Sequence, residues 1–491
     1  MRLTYVRMER PAFDPARERE YLARGWWAED TLPAWLARNA RERPDAPAVA
    51  WSGGGLSWRS LQERVLKAAE GLRRRGVGPG DVVAVQLANT PEFLVAHLAA
   101  SRLGAAMCTL HMPYRGAEID AILGHSGAKL FLNSADLVSE LQEAESLEEA
   151  YPQPDARDAF LLLYTSGTTA SPKGVPHPYR TMLGNARLGT AEHRLSSQDR
   201  VLSAAPLSHL YGLYSLHCAM AVGACTVLLP AFKPDELAIT VEKQKPTALW
   251  TAPAHVAACR AAGLLDKHDW SSLKLAIVSG SSAPPELIRW FAAKVPGCAV
   301  TQLWGMTELQ AGLYTRPGEP LEVSATSAGR PSPGTEIRIV DDELQVRGLS
   351  LFTGYYRNEE ANAMSFTQDG WFRSGDLAEM RGENYAITGR SKDIINRGGV
   401  KFNPVDVEML LDAHPKILQS ALVPMPDPVL GEKACAFVVL RSNLSVTLEE
   451  LVEYLLGKNI AKNKLPERLV VIPEMPLTPT RKIIKGRLKL P

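Results

Sequence analysis

Tyr164-Thr165-Ser166-Gly167-Thr168-Thr169-Ala170-Ser171-Pro172-Lys173-Gly174 is the stretch on which the reading of this chain turns. An apolar run, Phe160–Leu163, leads into it and predicts a buried strand. Small hydroxyl residues and a glycine then expose backbone N–H and side-chain O–H donors, and Lys173 adds a positive charge. Together these suit a polyphosphate. The spacing is not the G-x-x-x-x-G-K-[ST] of a Walker A loop. A polar surface turn is the plainer reading, but such turns rarely join so many donors to a lysine behind a buried strand.

Outward from this loop, strand and helix signals alternate. Ser57 can cap a helix with the apolar face Leu61, Val65, Ala68 and Leu72, closed by Gly76. Val82–Val85 reads as a buried strand, and Thr90-Pro91 opens a helix from Phe93 to Leu103. The apolar stretch from Leu216 to Phe232 is broken by His217, Gly223 and Pro230, which fits a buried helix running into a strand and not a membrane span. At 491 residues the chain is too long for one ordinary core. The pattern predicts an α/β protein: a large N-terminal multi-sheet α/β body (1–390) and a small C-terminal α+β lid (391–491). In the lid we expect a helix over 404–413, a strand pair at 419–423 and 434–440, a helix over 448–456 and a strand at 469–472.

Charge narrows the function. The 55 basic and 54 acidic residues nearly cancel, which argues against a general nucleic-acid binder or a polybasic membrane anchor. Six cysteines are scattered without a C-x-x-C pair, so no zinc ribbon or thiol redox motif is expected, and a reducing cytoplasm suits them. Met1 to Glu20 has no apolar h-region of a signal peptide. Arg73-Arg74-Arg75 ends a helix and reads as a solvated face complementing the dipole.

Five further motifs follow the phosphate loop. In Gln302-Leu303-Trp304-Gly305-Met306-Thr307-Glu308, Trp304 offers a stacking face and Gly305 a close backbone approach. Thr307 can donate to a phosphate, and Glu308 is a hard oxygen ligand suited to Mg²⁺. Trp371-Phe372-Arg373-Ser374-Gly375-Asp376 supplies a carboxylate that can accept more than one hydrogen bond. Gly389-Arg390-Ser391-Lys392-Asp393 follows, and a surface salt bridge between Asp376 and Arg390 is its plainer reading. Gly398-Gly399 suits close approach to a narrow ligand and equally a hairpin turn. Pro476-Leu477-Thr478-Pro479-Thr480-Arg481-Lys482-Ile483 ends the series in a Lys/Arg-rich tail that is also a solvated, anion-attracting end.

In this order the motifs resemble those of the adenylate-forming superfamily: acyl-CoA synthetases, peptide-synthetase adenylation domains and firefly-type luciferases. The resemblance spans nearly the whole chain. Leu56–Leu61 looks like the family's L-T-Y-x-E-L, and Gly78-Pro79-Gly80-Asp81 with Asn89-Thr90-Pro91-Glu92 looks like the segment that follows it. The phosphate loop resembles T-S-G-T-T-G-x-P-K-G, with Ala170 in place of a glycine. The terminal motif is similar to P-x-T-x-x-G-K-I, with Arg481 in place of the glycine.

The resemblance implies ATP, Mg²⁺ and coenzyme A as cofactors. It implies ATP contacts from Thr165, Ser166, Gly167, Thr168, Thr169, Lys173, Gly280, Ser281, Ser282, Trp304, Gly305, Asp376 and Arg390. Thr307, Glu308, Lys392 and Lys482 are implied as catalytic, Lys392 as the hinge, Glu308 as the metal ligand, and Gly398 and Gly399 as CoA contacts. Lys485 competes with Lys482 but lacks the T-x-x-x-K spacing. The acid site is implied around His209, Tyr211, Gly212 and Trp250, although His209 also reads as a satisfied core histidine. His177 and His255 show no metal spacing.

No Asp or Glu occurs over 207–216 or 250–256, so uncharged alkyl, cyclic or aryl acids are expected, with amino acids poor. The expected activity is activation of a small or medium carboxylic acid as its acyl-adenylate, then transfer to CoA. Transfer to an amine or a carrier protein is the alternative. A non-catalytic scaffold has no need of both Lys482 and Glu308.

Overall fold

The structure, a computed structural model, describes residue 8 and residues 13–165, 173–478 and 481–490. The chain packs as two compact units, Met1–Glu336 with Val346–Trp371, and Ile337–Gln345 with Phe372–Pro491.

The first unit holds two sheets. One has five strands in the order Leu130–Leu132, Val82–Val85, Ala106–Thr109, Ala159–Thr165 and Lys173–Pro178. They are parallel except for the final hairpin. The other has nine, with six parallel strands at its centre: Pro47–Trp51, Cys225–Val227, Arg200–Ser203, Ala248–Thr251, Leu275–Ser279 and Ala299–Met306. Parallel strands are covered on both faces, which is why Val82–Val85 is an unbroken apolar run, Leu275–Ser279 is apolar up to its final serine, and both are buried throughout.

Local signals resolve as the residues dictate. Ser57 Oγ accepts from Ser60 N at 3.2 Å to start the helix Trp58–Arg74. Leu61, Val65, Ala68 and Leu72 are at most 2% exposed, which sets its inward face. Gly76 at φ +82° and the Val77 N to Leu72 O bond of 3.1 Å end it. The triple arginine is more engaged than a plain solvated face. Arg73 and Arg74 both bond the buried Glu70, whose carboxyl they hold down at about 2, and Arg75 reaches Glu140. The stretch after Leu216 forms the end of the helix Leu210–Val222, and the strand Cys225–Val227 follows. Among the described residues no helix is long and apolar enough to cross a membrane.

In the second unit, Phe372–Arg381 and Asn384–Arg390 form an antiparallel pair in a four-stranded sheet with Glu343–Gly348 and Thr335–Val340. Residues 372–390 pack with 391–491. Beyond them the long pair Ile417–Asp427 and Gly431–Leu440 carries Arg468–Val471 alongside, with helices Val405–Asp412 and Leu448–Gly457. The expected helices and strands are all present, and the strand pair extends further than its apolar core suggested.

All six cysteines are buried free thiols. Burial pushes Cys108, Cys259 and Cys298 up to about 12 and Cys435 to about 11.

Candidate active site

The phosphate motif begins and ends on one hairpin. Thr165 lies opposite Lys173 and Tyr164 opposite Gly174, so the strands bring both ends of the motif together. Ser166, Gly167, Thr168 and Thr169, with Ala170, Ser171 and Pro172, lie outside the described residues. The Lys173 ammonium sits 4.9 Å from the centroid of the Tyr355 ring. Among the described residues no carboxylate pairs with it. The Lys173 ammonium thus lies over an aromatic face at the hairpin mouth.

The Trp304–Glu308 motif turns the strand Ala299–Met306 back into Gln310–Tyr314. A Cβ at Gly305 would lie 1.7 Å from the Gln310 carbonyl oxygen. The hairpin itself therefore requires this glycine, a nearer reason than approach to a flat ligand. Trp304 is 8% exposed, and Gly312 leaves room for its six-membered ring. Thr307 is half-buried in the turn.

Glu308 is 6% exposed. The Tyr355 hydroxyl donates to its Oε1 at 2.8 Å, and its backbone carbonyl accepts from Phe352 N at 2.8 Å. Burial and the adjacent carboxylate push the Tyr355 phenol well up, so it stays a donor. One buried carboxylate of fixed orientation fits Mg²⁺, which takes one or two carboxylates and fills its shell with phosphate oxygens and water. Tyr355 carries no motif signal near Glu308 in sequence, and sequence reasoning missed it.

Gly280, at φ +99°, ends the buried strand Leu275–Ser279 and leaves Ser281 and Ser282 exposed. His209 caps the helix Leu210–Val222, its Nδ1 accepting from Tyr211 N at 3.2 Å, so a neutral ring carries its proton on Nε2. It stacks on His111 with centroids 6.1 Å apart, and His111 Nδ1 is 2.9 Å from Ser208 Oγ. The Tyr211 hydroxyl lies 2.7 Å from Ile277 O and 3.2 Å from Thr251 O, anchoring the helix to two neighbouring strands. A Cβ at Gly212 would lie 2.2 Å from Pro206 O, so that helix approaches its own loop too closely for a side chain. Trp250 is fully buried, edge-on to Tyr214 and His193, and its ring packs the core. His255 Nδ1 accepts from Ala252 N while its ring stacks on Phe232, and His177 is fully buried.

In the second unit Asp376 and Arg390 face each other across two strands. Arg390 Nε donates to Asp376 Oδ1 at 2.7 Å, and Asp376 is 4% exposed. Lys392 is exposed in the single 3₁₀ turn Ser391–Asp393, between the strands ending at Arg390 and starting at Ile395.

Gly398 (φ +59°) and Gly399 (φ +87°) form the two-residue turn between Ile395–Arg397 and Val400–Phe402. Positive φ at both positions is what a tight hairpin demands. Arg397 pairs with Glu467, so its guanidinium is engaged within the unit, and Lys401 is exposed. Near the C-terminus Lys482 N donates to Thr478 Oγ1 at 2.9 Å and Thr478 N to Lys482 O at 2.7 Å. Lys482 is half-buried, and Lys485 is tied to Glu408 at 2.7 Å.

The family model described as AMP-binding enzyme matches residues 36–356, and the AMP-binding enzyme C-terminal domain matches 406–482. The salicyl-AMP ligase / salicyl-S-ArCP synthetase of Mycobacterium tuberculosis is 34% identical, covering 96% of this chain and 93% of its own. The medium-chain fatty-acid–CoA ligase of Escherichia coli is 30% identical, covering 97% of this chain and 93% of its own. Among solved structures, the o-succinylbenzoate CoA synthetase of Bacillus subtilis, in complex with its acyl-adenylate intermediate, superposes with a TM-score of 0.85 at 27% identity. The match covers 94% of this chain and 99% of that one. With more than half its length under the family model, this chain belongs to the AMP-binding enzyme family.

Proposed function

We propose that this enzyme activates a small or medium uncharged carboxylic acid with ATP and passes the acyl group to coenzyme A. One observation carries the reading. Lys173 at the phosphate hairpin and Glu308 in its distant turn meet on the two sides of Tyr355, so a cation and a carboxylate are held together where a polyphosphate and its metal need both.

In the first half-reaction a carboxylate oxygen of the acid attacks the α-phosphorus of ATP, and the bond to pyrophosphate breaks. The 165–169 stretch and Lys173 hold the phosphates, and Thr307 donates to one of them. Glu308 would hold Mg²⁺, which when bound would neutralise charge on the phosphate oxygens. Gly280, Ser281, Ser282, Trp304 and Gly305 are assigned to the adenine, Asp376 to the ribose, and Arg390 to the ribose or a phosphate. Lys482 supplies the charge that follows the reacting carboxylate and α-phosphate.

In the second half-reaction the CoA sulfur attacks the acyl carbon and AMP leaves. Lys392 is assigned as the hinge of the lid, 391–491, and Gly398-Gly399 as the strip along the pantetheine arm. His209, Tyr211, Gly212 and Trp250 are assigned to the acid site. For Trp250 the assignment is a wall packed from behind, because its own ring is in the core. A reducing cytoplasm is the assigned compartment for six buried free thiols.

A second reading gives the acyl group to a carrier protein, as the name of the 34% identical M. tuberculosis relative states for that protein. Acid-dependent ATP–pyrophosphate exchange across a carboxylic-acid panel tests the first step. Product mass with CoA, amines and a phosphopantetheinylated carrier in parallel tests the second. A stable amide or acyl-carrier forming while no acyl-CoA appears would defeat the CoA assignment and leave adenylation standing.

A further inference from the structure

We infer that Tyr355 is a positioning residue for Mg²⁺–nucleotide binding, acting through Glu308 on one side and Lys173 on the other; this rests on the adenylation reading above. The geometry is specific. The hydroxyl of Tyr355 donates to Glu308 Oε1 at 2.8 Å, in a residue 7% exposed. Its ring lies under the Lys173 ammonium at 4.9 Å.

The segment around Tyr355 is a strap that ties both motifs by backbone as well. Phe352 N donates to Glu308 O at 2.8 Å. Tyr356 N donates to Gly174 O at 2.8 Å, and Gly174 and Tyr356 form an isolated β-bridge. The strap is itself fixed. Tyr355 N donates to Asn362 Oδ1 at 2.6 Å, Asn362 Nδ2 returns a bond to Tyr355 O at 3.2 Å, and the Phe352 and Tyr355 rings meet edge-on at 4.8 Å.

Physically, a buried carboxylate that must meet a divalent cation is useful only if its plane is set beforehand. A phenol donor holds one oxygen without neutralising the charge, which an arginine partner would do. The ring face supports an ammonium without supplying a counter-charge, so Lys173 keeps its full attraction for phosphate. The two functions sit on separable parts of one side chain.

Tyr355→Phe removes the hydroxyl and keeps the face; Tyr355→Leu removes both. The test is Mn²⁺ binding to the full-length enzyme with ATP and no acid, followed by electron paramagnetic resonance, with ATP affinity measured alongside by calorimetry. We expect Tyr355→Phe to weaken Mn²⁺ binding about ten-fold while ATP affinity without metal is unchanged. We expect Tyr355→Leu to weaken metal-free ATP binding as well. In a Glu308→Gln background Tyr355→Phe has no further effect on Mn²⁺.

Thermal melts check that the variants fold, and the conservative Phe variant is expected to melt within a few degrees of the parent. Equal Mn²⁺ affinity in parent and Tyr355→Phe, or an additive loss in the double variant, overturns the inference and leaves the adenylation reading intact. Absence of ATP-dependent Mn²⁺ binding in the parent overturns both.

Discussion

Arg390 and Asp376 stand directly opposite each other on adjacent antiparallel strands, with Nε and Oδ1 2.7 Å apart, the carboxylate side buried and the guanidinium side 44% exposed. The arrangement is asymmetric. Removing the arginine takes a counter-charge away from a buried carboxylate, whereas the arginine itself is half solvated. Arg390→Ala is expected to destabilise the second unit by about 1–2 kcal/mol, below the range for a fully buried pair because solvent screens the exposed partner. Arg390→Lys retains the charge and most of that stability. If the pair also serves the ribose, Arg390→Lys raises the KM for ATP, because an ammonium cannot reproduce the guanidinium fork. Urea melts and ATP titrations of both variants separate the roles; a Lys variant normal in both measures makes the pair purely structural.

Much of the local structure around the candidate site was legible because its motifs are local and ordered in the chain. The hairpin under the phosphate loop follows from Phe160–Leu163 and the turn residues after it, and the Ser57 cap and the Gly76 stop follow from short-range chemistry. Tyr355 was not legible, since its meaning depends on a turn far upstream and on the strap geometry. Strand order was not legible either: nothing local to Pro47–Trp51 says that it lies beside Cys225–Val227. Nor does composition tell that 372–390 pack with the residues after them. Gly398-Gly399 shows the opposite case. Two readings shared one local signal, and the turn geometry satisfies the structural one whatever the ligand.

Arg481 occupies φ +63°, where a side chain is disfavoured and where the resembling family carries glycine. Its backbone is pinned between the Thr478–Lys482 bonds and the Leu477–Ile483 bridge, so the conformation belongs to the loop and not to the residue. Arg481→Gly is expected to be within about 0.5 kcal/mol of the parent, relief of strain offsetting the added freedom of the unfolded chain. Arg481→Val, β-branched, is expected to lose about 1–2 kcal/mol. Chemical denaturation of the pair decides it. Equal stability of the Gly and Val variants contradicts the strained-loop account.

Lys482→Ala is expected to abolish acid-dependent ATP–pyrophosphate exchange and to leave the melting temperature within a few degrees of the parent. Lys485→Ala is expected to do the reverse in part, since Lys485 is tied to Glu408 at 2.7 Å and belongs to the packing of the second unit. Exchange that persists in the Lys482 variant and disappears in the Lys485 variant would exchange the two assignments.

Asp412 gives the second unit a pH dependence. Burial pushes its carboxyl from 3.8 up to about 6, against the bond from Ser420 Oγ at 2.7 Å, and Glu408 nearby adds to the rise. A folded-state value above the unfolded one means that the folded form binds the proton more tightly. The contribution is therefore fully present below about pH 4 and is lost as pH rises through about 6. The span corresponds to roughly 3 kcal/mol. Asp412→Asn keeps an acceptor for Ser420 without a charge, so it should stabilise the protein at pH 7.5 and leave it nearly unchanged at pH 4. Unfolding free energies that differ equally at both pH values rule this out.

Gly305 carries the last prediction. Its missing side chain lets the Gln310 carbonyl oxygen come within 1.7 Å of where a Cβ would be, at the irregular register step between Trp304 and Gly305. The contact is to backbone, so no flexible side chain can move aside to relieve it. Gly305→Ala must open the hairpin, and the turn that it opens is the one that presents Thr307 and Glu308. Two effects are expected together: a loss of about 2–4 kcal/mol of stability, and a fall in ATP–pyrophosphate exchange that exceeds what the unfolded fraction explains. Gly399→Ala is the internal control. Nothing lies within 4 Å of a Cβ there, and only its φ of +87° is strained, so about 1 kcal/mol should be lost and exchange retained. Measuring exchange per folded molecule for both variants, at a temperature where each is mostly native, compares them directly. Normal exchange per folded Gly305→Ala molecule would mean that the turn tolerates displacement and that Glu308 does not need the position it holds.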